Sequence, residues 1–293
     1  MKPPNPQIGA TIGGYRLRRR IARSRWTSVY SADSENAPGK FAVKVFDLNE
    51  SNEEAIGTPD EQVWRHRFDL EARILGAMDH PGIIALQDRG CLDDGRPYHV
   101  MPFINANLAY EIKFDVSQIA ERRRRPPIRT TPIEFYRAVS LLHQIVDALA
   151  ALHEQKIIHR DLKPGNVLLT RIGDGRAILC DFGMARWGDQ VFDVPDELIG
   201  SKSYVSPEQK KDHAASDARS DIYSLGLIAF RMLAGKLPAD GERSICGVFE
   251  SMPAGLDHLI AACLDPEPAH RPGDAVMLQA ALREIQSSPA PAT

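Results

Sequence analysis

Apolar and polar residues follow two different spacings along this chain. Residues 15–21 alternate apolar side chains with arginine, a pattern typical of a half-buried strand. Residues 41–46 are mostly β-branched or aromatic, which predicts another strand. Between Leu142 and Leu152 apolar residues recur at helical spacing, and residues 274–286 show the pattern of a last amphipathic helix. The pattern therefore predicts strands in the first part of the chain and mainly helices after it.

Capping residues mark the predicted starts of two helices. Thr58 is followed by a proline and then by Glu61, three residues after the threonine, which predicts a helix start. Thr131 and Glu134 predict a second start in the same way. A further short helix is expected around residues 244–251.

Composition describes an ordinary soluble globular protein. A chain of 293 residues can form one large domain or two lobes, and its formal net charge of −3 gives no general attraction to nucleic acid or membrane. No apolar stretch is long enough to span a membrane, and residues 1–6 have no signal-peptide core. The four cysteines form no C-x-x-C pair, so we expect neither a zinc site nor disulfides, and a cytoplasmic location.

A short polar loop between two apolar runs carries the strongest chemical signal. Residues 157–166 read Ile-Ile-His-Arg-Asp-Leu-Lys-Pro-Gly-Asn. Phosphoryl transfer needs a group that orients and deprotonates a hydroxyl, a positive charge for the phosphate and an anchor for Mg²⁺. Asp161, Lys163 and Asn166 supply these three groups in one loop. The alternative, a charged surface turn, would combine them in this order only by chance.

These motifs resemble those of protein kinases. The loop matches the pattern H-R-D-L-x-x-x-N, and Asp-Phe-Gly at residues 181–183 matches D-F-G. Lys44 stands in a strand that resembles V-A-I-K, and Ser-Pro-Glu at residues 206–208 stands where the family has A-P-E. The chain is therefore similar to the eukaryotic-type (Hanks-type) Ser/Thr protein kinases over roughly residues 15–286.

This resemblance implies an α+β fold with two lobes. We expect a flexible lead-in at residues 1–14 and a small antiparallel sheet with one helix at residues 15–101. A hinge and a mainly helical lobe are expected at residues 102–286, followed by a tail or linker at residues 287–293. The active site is expected in the cleft between the lobes.

The resemblance also implies the catalytic roles. Asp161 would accept the proton of the acceptor hydroxyl, and Lys163 would stabilise the transferred phosphoryl group. Lys44 would contact the α- and β-phosphates of ATP and pair with Glu71 on the first helix. Without the family alignment, these two would be an ordinary solvated strand lysine and helix glutamate.

ATP and Mg²⁺, or Mn²⁺, are the implied cofactors. Asn166 and Asp181 would hold the metal ions. The positions that match nucleotide contacts of the family are Ile21, Val29, Ala42, Lys44, Met101, Pro102, Ile104 and Leu168. Pro102 would offer only its carbonyl to the base, so its missing N–H need not weaken binding. Apart from the resemblance, the apolar members of this set are simply core residues.

Residues 22–29 are the largest departure from the family. They read Ala-Arg-Ser-Arg-Trp-Thr-Ser-Val where the family has G-x-G-x-x-G-x-V, so all three glycines are replaced. A Cβ at each position restricts the approach of backbone amides to phosphates. This loss favours a second interpretation, a pseudokinase that signals by binding, whereas the complete set of catalytic residues favours an active enzyme.

The expected substrate is a protein with a Ser or Thr acceptor. Lys163 is typical of the Ser/Thr branch. Together, Lys163 and residues 206–208 disfavour the alternative of a small-molecule kinase of the aminoglycoside type. The basic loop Arg122–Arg125 is either a solvated surface loop or a docking patch for an acidic partner. By resemblance, Asp221 would hold the catalytic loop, and Arg271 would pair with the glutamate of residues 206–208.

Regulation is expected to differ from that of many relatives. Arg160 precedes the catalytic aspartate, and in the family this arginine often receives an activation-loop phosphate. Residues 184–199 contain no Ser, Thr or Tyr but four acidic residues, Asp189, Asp193, Asp196 and Glu197. We therefore hypothesise that a carboxylate satisfies Arg160, so that activity does not require phosphorylation of the loop.

Overall fold

The chain divides into two compact units, unit 1 (Met1–Ile104) and unit 2 (Asn105–Thr293). The structure, a computed structural model, describes residues 6–47, 58–112, 132–189, 202–212, 214, 216–249 and 252–287. Unit 1 is built on an antiparallel sheet and unit 2 mainly on helices. The boundary lies three residues beyond the predicted one, which falls between residues 101 and 102.

Unit 1 contains one six-stranded antiparallel sheet and one long helix. The strands are β1 (Thr11–Ile12), β2 (Tyr15–Arg23), β3 (Thr27–Ser34), β4 (Lys40–Phe46), β5 (Asp88–Cys91) and β6 (Pro97–Pro102). They pair in the order β1-β2-β3-β4-β6-β5. Helix α1 (Pro59–Ala77) follows β4 in the chain, and Thr58 caps it by accepting a hydrogen bond from the Glu61 N–H, as predicted.

The central strand β4 separates two groups of side chains. Side chains alternate between the faces of a strand, so Val43 and Val45 share one face and Lys44 lies on the other. Val43 and Val45 are fully buried in a hydrophobic core that includes Leu17 and Tyr30. The opposite face is therefore available for a functional lysine and for packing against α1.

The predicted flexible lead-in includes a paired segment. Strand β1 pairs with the start of β2, and the Gly9 N–H donates to the Leu17 carbonyl at 2.9 Å. The chain reverses at Gly13, whose φ of 56° suits glycine, and a Cβ there would collide with the Tyr98 hydroxyl. Residues 9–12 of the expected flexible lead-in are therefore hydrogen-bonded to β2, and the flexibility of the lead-in stays a prediction.

Strand β2 is protected as an edge strand. Strand β1 pairs only with its first two residues, and the pairing with β3 shifts register between Leu17 and Arg19 and again between Arg20 and Ala22. The arginine side chains from Arg18 to Arg23 are exposed. Charges and bulges prevent another strand from pairing with such an edge, so this pattern is explained by the fold alone.

Unit 2 is mainly helical. Its helices are α2 (Leu108–Glu111), α3 (Phe135–Glu154), α4 (Pro207–Lys211), α5 (Ala218–Ala234), α6 (Ala254–Cys263) and α7 (Ala275–Ser287). The short strands are β7 (Ala106–Asn107), β8 (Ile157–Ile158), β9 (Val167–Leu169), β10 (Ala177–Leu179) and β11 (Arg186–Trp187). Strands β10, β9 and β7 form one antiparallel sheet, and β11 pairs with β8. Helix α5 is almost entirely buried and forms the centre of this unit.

One predicted helix is absent over its described residues, and the cap of another is Glu134. Helix α3 is capped by Glu134, which accepts from the amides of Tyr136 and Arg137, whereas Thr131 lies outside the described residues. Residues 244–249 are not helical; Asp257 accepts hydrogen bonds from the hydroxyl of Ser244 and from the backbone amide of residue 245. Of the helices that the structure describes, none combines the length and the apolar character needed to cross a membrane.

Candidate active site

In unit 1, Lys44 and Glu71 form a buried ion pair. The Lys44 Nζ lies 2.8 Å and 2.7 Å from the two carboxylate oxygens of Glu71, and the two side chains are 9% and 2% exposed. His99 is the cross-strand partner of Lys44 on β6, and its Nε2 lies 3.9 Å from the same carboxylate. The pair that the resemblance implies is therefore formed, with the lysine held by both oxygens.

Several predicted nucleotide contacts share the Lys44 face of the sheet. Val29 lies directly opposite Lys44 on β3, and Ala42 lies opposite Met101 on β6. Ala42 and Lys44 are two residues apart on β4, so their side chains point the same way. Val29, Ala42, Lys44 and Met101 are thus brought together.

The other predicted nucleotide contacts lie elsewhere. Ile21 falls in the second register shift of β2 and is 36% exposed. Pro102 ends β6, and Ile104 is the last residue of unit 1. Leu168 belongs to unit 2, where it is half-buried on β9.

The segment that replaces the glycine-rich loop is a tight turn. The backbone amide of Ser24 donates to the Thr27 carbonyl at 2.8 Å. The Ser24 hydroxyl oxygen accepts from the amides of Trp26 and Thr27 at 3.3 and 3.0 Å. Two amides of the turn are therefore already hydrogen-bonded within it, which reduces what the backbone can offer to a phosphate.

In unit 2, Asp161, Lys163 and Asn166 converge as predicted. The Lys163 Nζ lies 2.6 Å from Oδ2 of Asp161, and the Asn166 Nδ2 donates to the same oxygen at 3.0 Å. A 3-10 turn over Pro164–Asn166 brings the asparagine back to the aspartate. Within the described part of the chain, no donor is bonded to Oδ1 of Asp161, which leaves that oxygen available to an acceptor hydroxyl.

Asp221 of α5 anchors the catalytic loop. This carboxylate is 1% exposed and accepts from the backbone amides of His159 and Arg160, each at 2.8 Å. Burial raises the pKa of Asp221, but the hydrogen bonds that it accepts from the His153 side chain and the His159 amide outweigh this effect, so the pKa lies below its usual range. The predicted role of Asp221 is confirmed.

His153 is a site residue that the sequence analysis missed. Its Nδ1 accepts from the Ala275 amide at 3.0 Å, so its Nε2 carries the hydrogen that is donated to Asp221 at 3.0 Å. It thereby links the first residue of α7 to the anchor of the catalytic loop. The available signal was a histidine six residues before His159, at the end of an apolar helix, and nothing in its local sequence indicates a contact with Asp221.

The Asp-Phe-Gly segment is held to the catalytic loop by the backbone. The Cys180 amide donates to the Asn166 carbonyl at 3.0 Å, and the His159 Nε2 lies 3.2 Å from the Cys180 carbonyl. Phe182 packs on the His159 ring with centroids 5.0 Å apart. The next residue after Cys180, Asp181, has a φ of 63°, a conformation that a residue other than glycine adopts at some energetic cost.

The donor set formed by Asn166 and Asp181 suits Mg²⁺. Both offer oxygen ligands, and because the Asn166 Nδ2 donates to Asp161, its Oδ1 is the atom left for a metal ion. Among the described residues no group of three or more His, Cys, Asp or Glu could hold a metal ion. A divalent ion would therefore also need phosphate oxygens, which is typical of Mg²⁺ bound with a nucleotide.

Glu208 and Arg271 form the predicted ion pair, in which Arg271 is buried and Glu208 is half-buried. The two guanidinium nitrogens of Arg271 lie 2.7 and 2.9 Å from the two carboxylate oxygens. Burial raises the pKa of Glu208, but hydrogen bonds from Arg271 and Ser220 outweigh it and lower the pKa to about 2. This prediction is confirmed.

Arg160 and Arg186 place two positive charges close together. Arg160 is 5% exposed and has a φ of 63°. Burial and the neighbouring charge of Arg186 lower its pKa to about 10, although Asp221 and Asp212 oppose the shift. Within the described residues, the Nε and Nη2 of Arg160 and the Nε of Arg186 have no hydrogen-bond partner. This pair of guanidinium groups is suited to an anion.

The sequence matches the family model described as protein kinase domain over residues 15–283. Serine/threonine-protein kinase PknL of Mycobacterium tuberculosis is 29% identical over 287 residues, covering 92% of this chain and 65% of that protein. PknJ of the same organism is 32% identical, covering 90% of this chain and 44% of that protein. The chain thus spans less than two thirds of the length of these relatives.

Solved structures agree with the sequence comparison. The crystal structure of the Mycobacterium tuberculosis PknI kinase domain has a TM-score of 0.63 and 27% sequence identity. It covers 96% of this chain and 100% of that chain. The predicted fold class, with a sheet-based N-terminal part and a helical C-terminal part, is confirmed. By family model, relatives and fold, this chain belongs to the Hanks-type Ser/Thr protein kinase family.

Proposed function

We propose that this chain transfers the γ-phosphate of ATP to Ser or Thr hydroxyls of proteins. The observation that carries the proposal is the geometry of Asp161. Lys163 and Asn166 both bond its Oδ2 and leave Oδ1 open within the described residues. A carboxylate oriented in this way can accept the proton of a hydroxyl as that hydroxyl attacks phosphorus.

The other proposed roles follow from charge and orientation. Lys163 offsets negative charge where the phosphoryl group is transferred, and Lys44, fixed by Glu71, binds the α- and β-phosphates. Asn166 and Asp181 would hold Mg²⁺ or Mn²⁺, which neutralises the charge of the triphosphate when it is bound. The apolar residues beside Lys44 on its sheet face would contact the adenine.

A pseudokinase is the second candidate, and one observation favours it. At the position of the glycine-rich loop, the Ser24 hydroxyl accepts hydrogen bonds from two amides of the turn, so these amides are not available to a phosphate. We favour the enzyme, because this chain keeps the acidic, basic and amide groups that phosphoryl transfer uses.

A transfer assay with [γ-³²P]ATP and a protein acceptor distinguishes the two candidates. We expect Asp161→Asn to lower kcat at least about 100-fold, since general-base catalysis contributes about that much or more. Asp174→Asn, at an exposed carboxylate paired with Arg171, is the matched control and should leave the rate unchanged. Wild-type protein that binds ATP but transfers no phosphate would support the scaffold instead.

We further propose that activity does not require phosphorylation after the Asp-Phe-Gly segment. The acceptor-free sequence of residues 184–199 and the open guanidinium nitrogens of Arg160 and Arg186 support this proposal. The carboxylates of Asp193, Asp196 and Glu197 are the candidate occupants, and they lie outside the described residues. Phosphatase-treated protein should keep its full rate, and loss of most activity would refute the proposal.

Protein partners and location stay predictions. The basic loop Arg122–Arg125 lies outside the described residues, and we propose it as a docking patch for an acidic substrate. Reversing its charges should raise KM for such a substrate at low salt and have less effect at high salt. The cytoplasmic location expected from the cysteine pattern also stays a prediction.

A further inference from the structure

The turn that replaces the glycine-rich loop carries a tryptophan that packs inward. Trp26 is only 2% exposed, although it stands in the three-residue connection between β2 and β3. Its ring stacks on Trp64 of α1 with centroids 6.0 Å apart and an interplanar angle of 16°. It also stacks on Phe46 of β4 at 6.3 Å and 22°. The turn is therefore attached to both the helix and the central strand.

This aromatic cluster lies next to the Lys44–Glu71 ion pair. On α1, Trp64, Phe68 and Glu71 are spaced four and three residues apart, so they lie along one face of the helix. On β4, Phe46 and Lys44 are two residues apart and share a face. Phe68 closes the cluster against Phe46 at 5.8 Å. Helix α1 and strand β4 therefore contact each other in two adjacent places, first through aromatic rings and then through the ion pair.

Contacts within the turn hold the Trp26 ring in place. Ser24 closes the turn through its backbone amide and its hydroxyl, and Arg25 lies over the Trp26 ring at 5.3 Å. The indole N–H groups of Trp26 and Trp64 are buried with no hydrogen-bond partner in the described part of the chain. These two tryptophans therefore contribute through stacking of their ring faces and not through hydrogen bonds of their N–H groups.

We propose that Trp26 is a positioning residue for the reaction. Its stack on Trp64 fixes α1 so that Glu71 holds Lys44 in place for the nucleotide phosphates. In this chain the segment that replaces the glycine-rich loop would therefore contribute through the buried Trp26 ring, which keeps Lys44 oriented. The family's flexible glycine backbone would contribute through its amides instead. This inference rests on the proposed kinase function for its catalytic consequence, but the positioning itself can be measured without catalysis.

The test compares Trp26→Leu with Phe41→Leu. Phe41 is a buried aromatic of the opposite face of β4, where it packs edge-on against Tyr15 at 5.1 Å, so it controls for loss of packing alone. The first measurement is the rate at which an amine-reactive acetylating reagent modifies Lys44, followed by mass spectrometry. Glu71→Gln provides the reference for a lysine that has lost its carboxylate.

We expect Trp26→Leu to raise the rate of Lys44 acetylation about tenfold, towards the Glu71→Gln value, because buried Lys44 becomes accessible. In Phe41→Leu the rate should stay within about twofold of wild type. For Trp26→Leu, kcat/KM for ATP should fall about tenfold, with most of the loss in kcat. Trp26→Phe, which keeps a ring and removes the unpaired N–H, should restore both measurements to within about twofold.

Two outcomes would overturn the proposal. One is unchanged Lys44 acetylation in Trp26→Leu, and the other is an equal rise in Phe41→Leu. If Trp26→Leu does not fold, Trp64→Leu at the less buried half of the stack must give the same rise, and no rise there overturns the proposal equally. An inactive wild-type protein would refute the proposed function alone, since acetylation still reports whether Trp26 holds Lys44.

Discussion

Two carboxylates of this protein are equally buried but are satisfied in different ways. Glu71 in unit 1 and Asp221 in unit 2 are each 1% exposed. Glu71 faces a cation, with both of its oxygens within 2.8 Å of the Lys44 Nζ. Asp221 instead accepts hydrogen bonds from two backbone amides and from His153.

The difference determines which arrangement can change. A lysine side chain is flexible, so the Lys44–Glu71 pair can open whenever α1 moves away from the sheet. Backbone amides belong to the chain itself, and the amides of His159 and Arg160 have no other acceptor if Asp221 is lost. We therefore expect the catalytic loop of unit 2 to be permanently formed and the ion pair of unit 1 to depend on packing.

The largest effect is expected for Asp221→Asn. The amide can accept with one oxygen, but its NH₂ group would face an N–H donor of His153, His159 or Arg160. We expect the free energy of unfolding to fall by about 4 kcal/mol, because a buried donor is left unsatisfied and the other hydrogen bonds lose their charged acceptor. Equilibrium urea unfolding measures this loss, and kcat should fall at least about 100-fold because the loop loses its geometry.

Asp257→Asn is the matched control. Asp257 is 8% exposed and also accepts from a hydroxyl and a backbone amide, but it holds the loop at residues 244–245. It should lower stability without lowering kcat of the folded enzyme. An Asp221→Asn protein with wild-type stability would show that the amides of the catalytic loop do not depend on this carboxylate.

A smaller effect on stability is expected in unit 1. Glu71→Gln leaves the buried charge of Lys44 without its counter-charge and should lower the free energy of unfolding by about 3 kcal/mol. The double variant Lys44→Met/Glu71→Leu should return to within about 1 kcal/mol of wild type, since apolar side chains of similar volume often replace a buried ion pair without loss. Both variants should be nearly inactive, which separates the role of the pair in catalysis from its role in folding.

The double variant decides the comparison between the two carboxylates. If it is as unstable as Glu71→Gln, the pair contributes to folding in the same way as Asp221. If it is stable and inactive, the pair is present for phosphate binding. Far-UV circular dichroism of the double variant would confirm that the fold is retained.

Local motifs predicted the site well where the chemistry fixes residue types at short spacing. Asp161, Lys163 and Asn166 lie within six residues, so their convergence needs only one short turn. Lys44 and Glu71 are 27 residues apart, and the resemblance was needed to pair them. The helix expected at residues 244–251 is absent over residues 244–249, where the contacts to Asp257, further along the chain, could not be foreseen from the local sequence.

Residues that act through distant partners could not be predicted. His153 functions only through Asp221, 68 residues later, and through Ala275. Trp26 stood in a segment notable for its lost glycines, and nothing local indicated that it stacks on Trp64. The chain has only three tryptophans, and two of them fall in the segment that replaces the glycine-rich loop and in a predicted helix, which was the available signal.

The smallest effect is expected for Ser24→Ala, which repeats the Asp221 arrangement at an exposed position. The Ser24 hydroxyl accepts from two backbone amides, as Asp221 does, but the turn is exposed to water. Water can satisfy the released amides, so we expect a loss of about 0.5 kcal/mol or less in urea unfolding. Ser31→Ala is the control, because its exposed hydroxyl donates to the Arg19 carbonyl and releases no amide.

A titration of Ser24→Ala with ATP then tests whether the closed turn affects ATP affinity. Released amides could bond phosphates, so the Kd for ATP should stay the same or fall slightly in Ser24→Ala and should not change in Ser31→Ala. A loss of stability above about 2 kcal/mol, or a weaker ATP affinity, would mean that the closed turn itself is needed. In that case the difference in burial would not explain the different stability effects at Ser24 and Asp221. The turn would then be a structurally required part of the protein, like the catalytic loop.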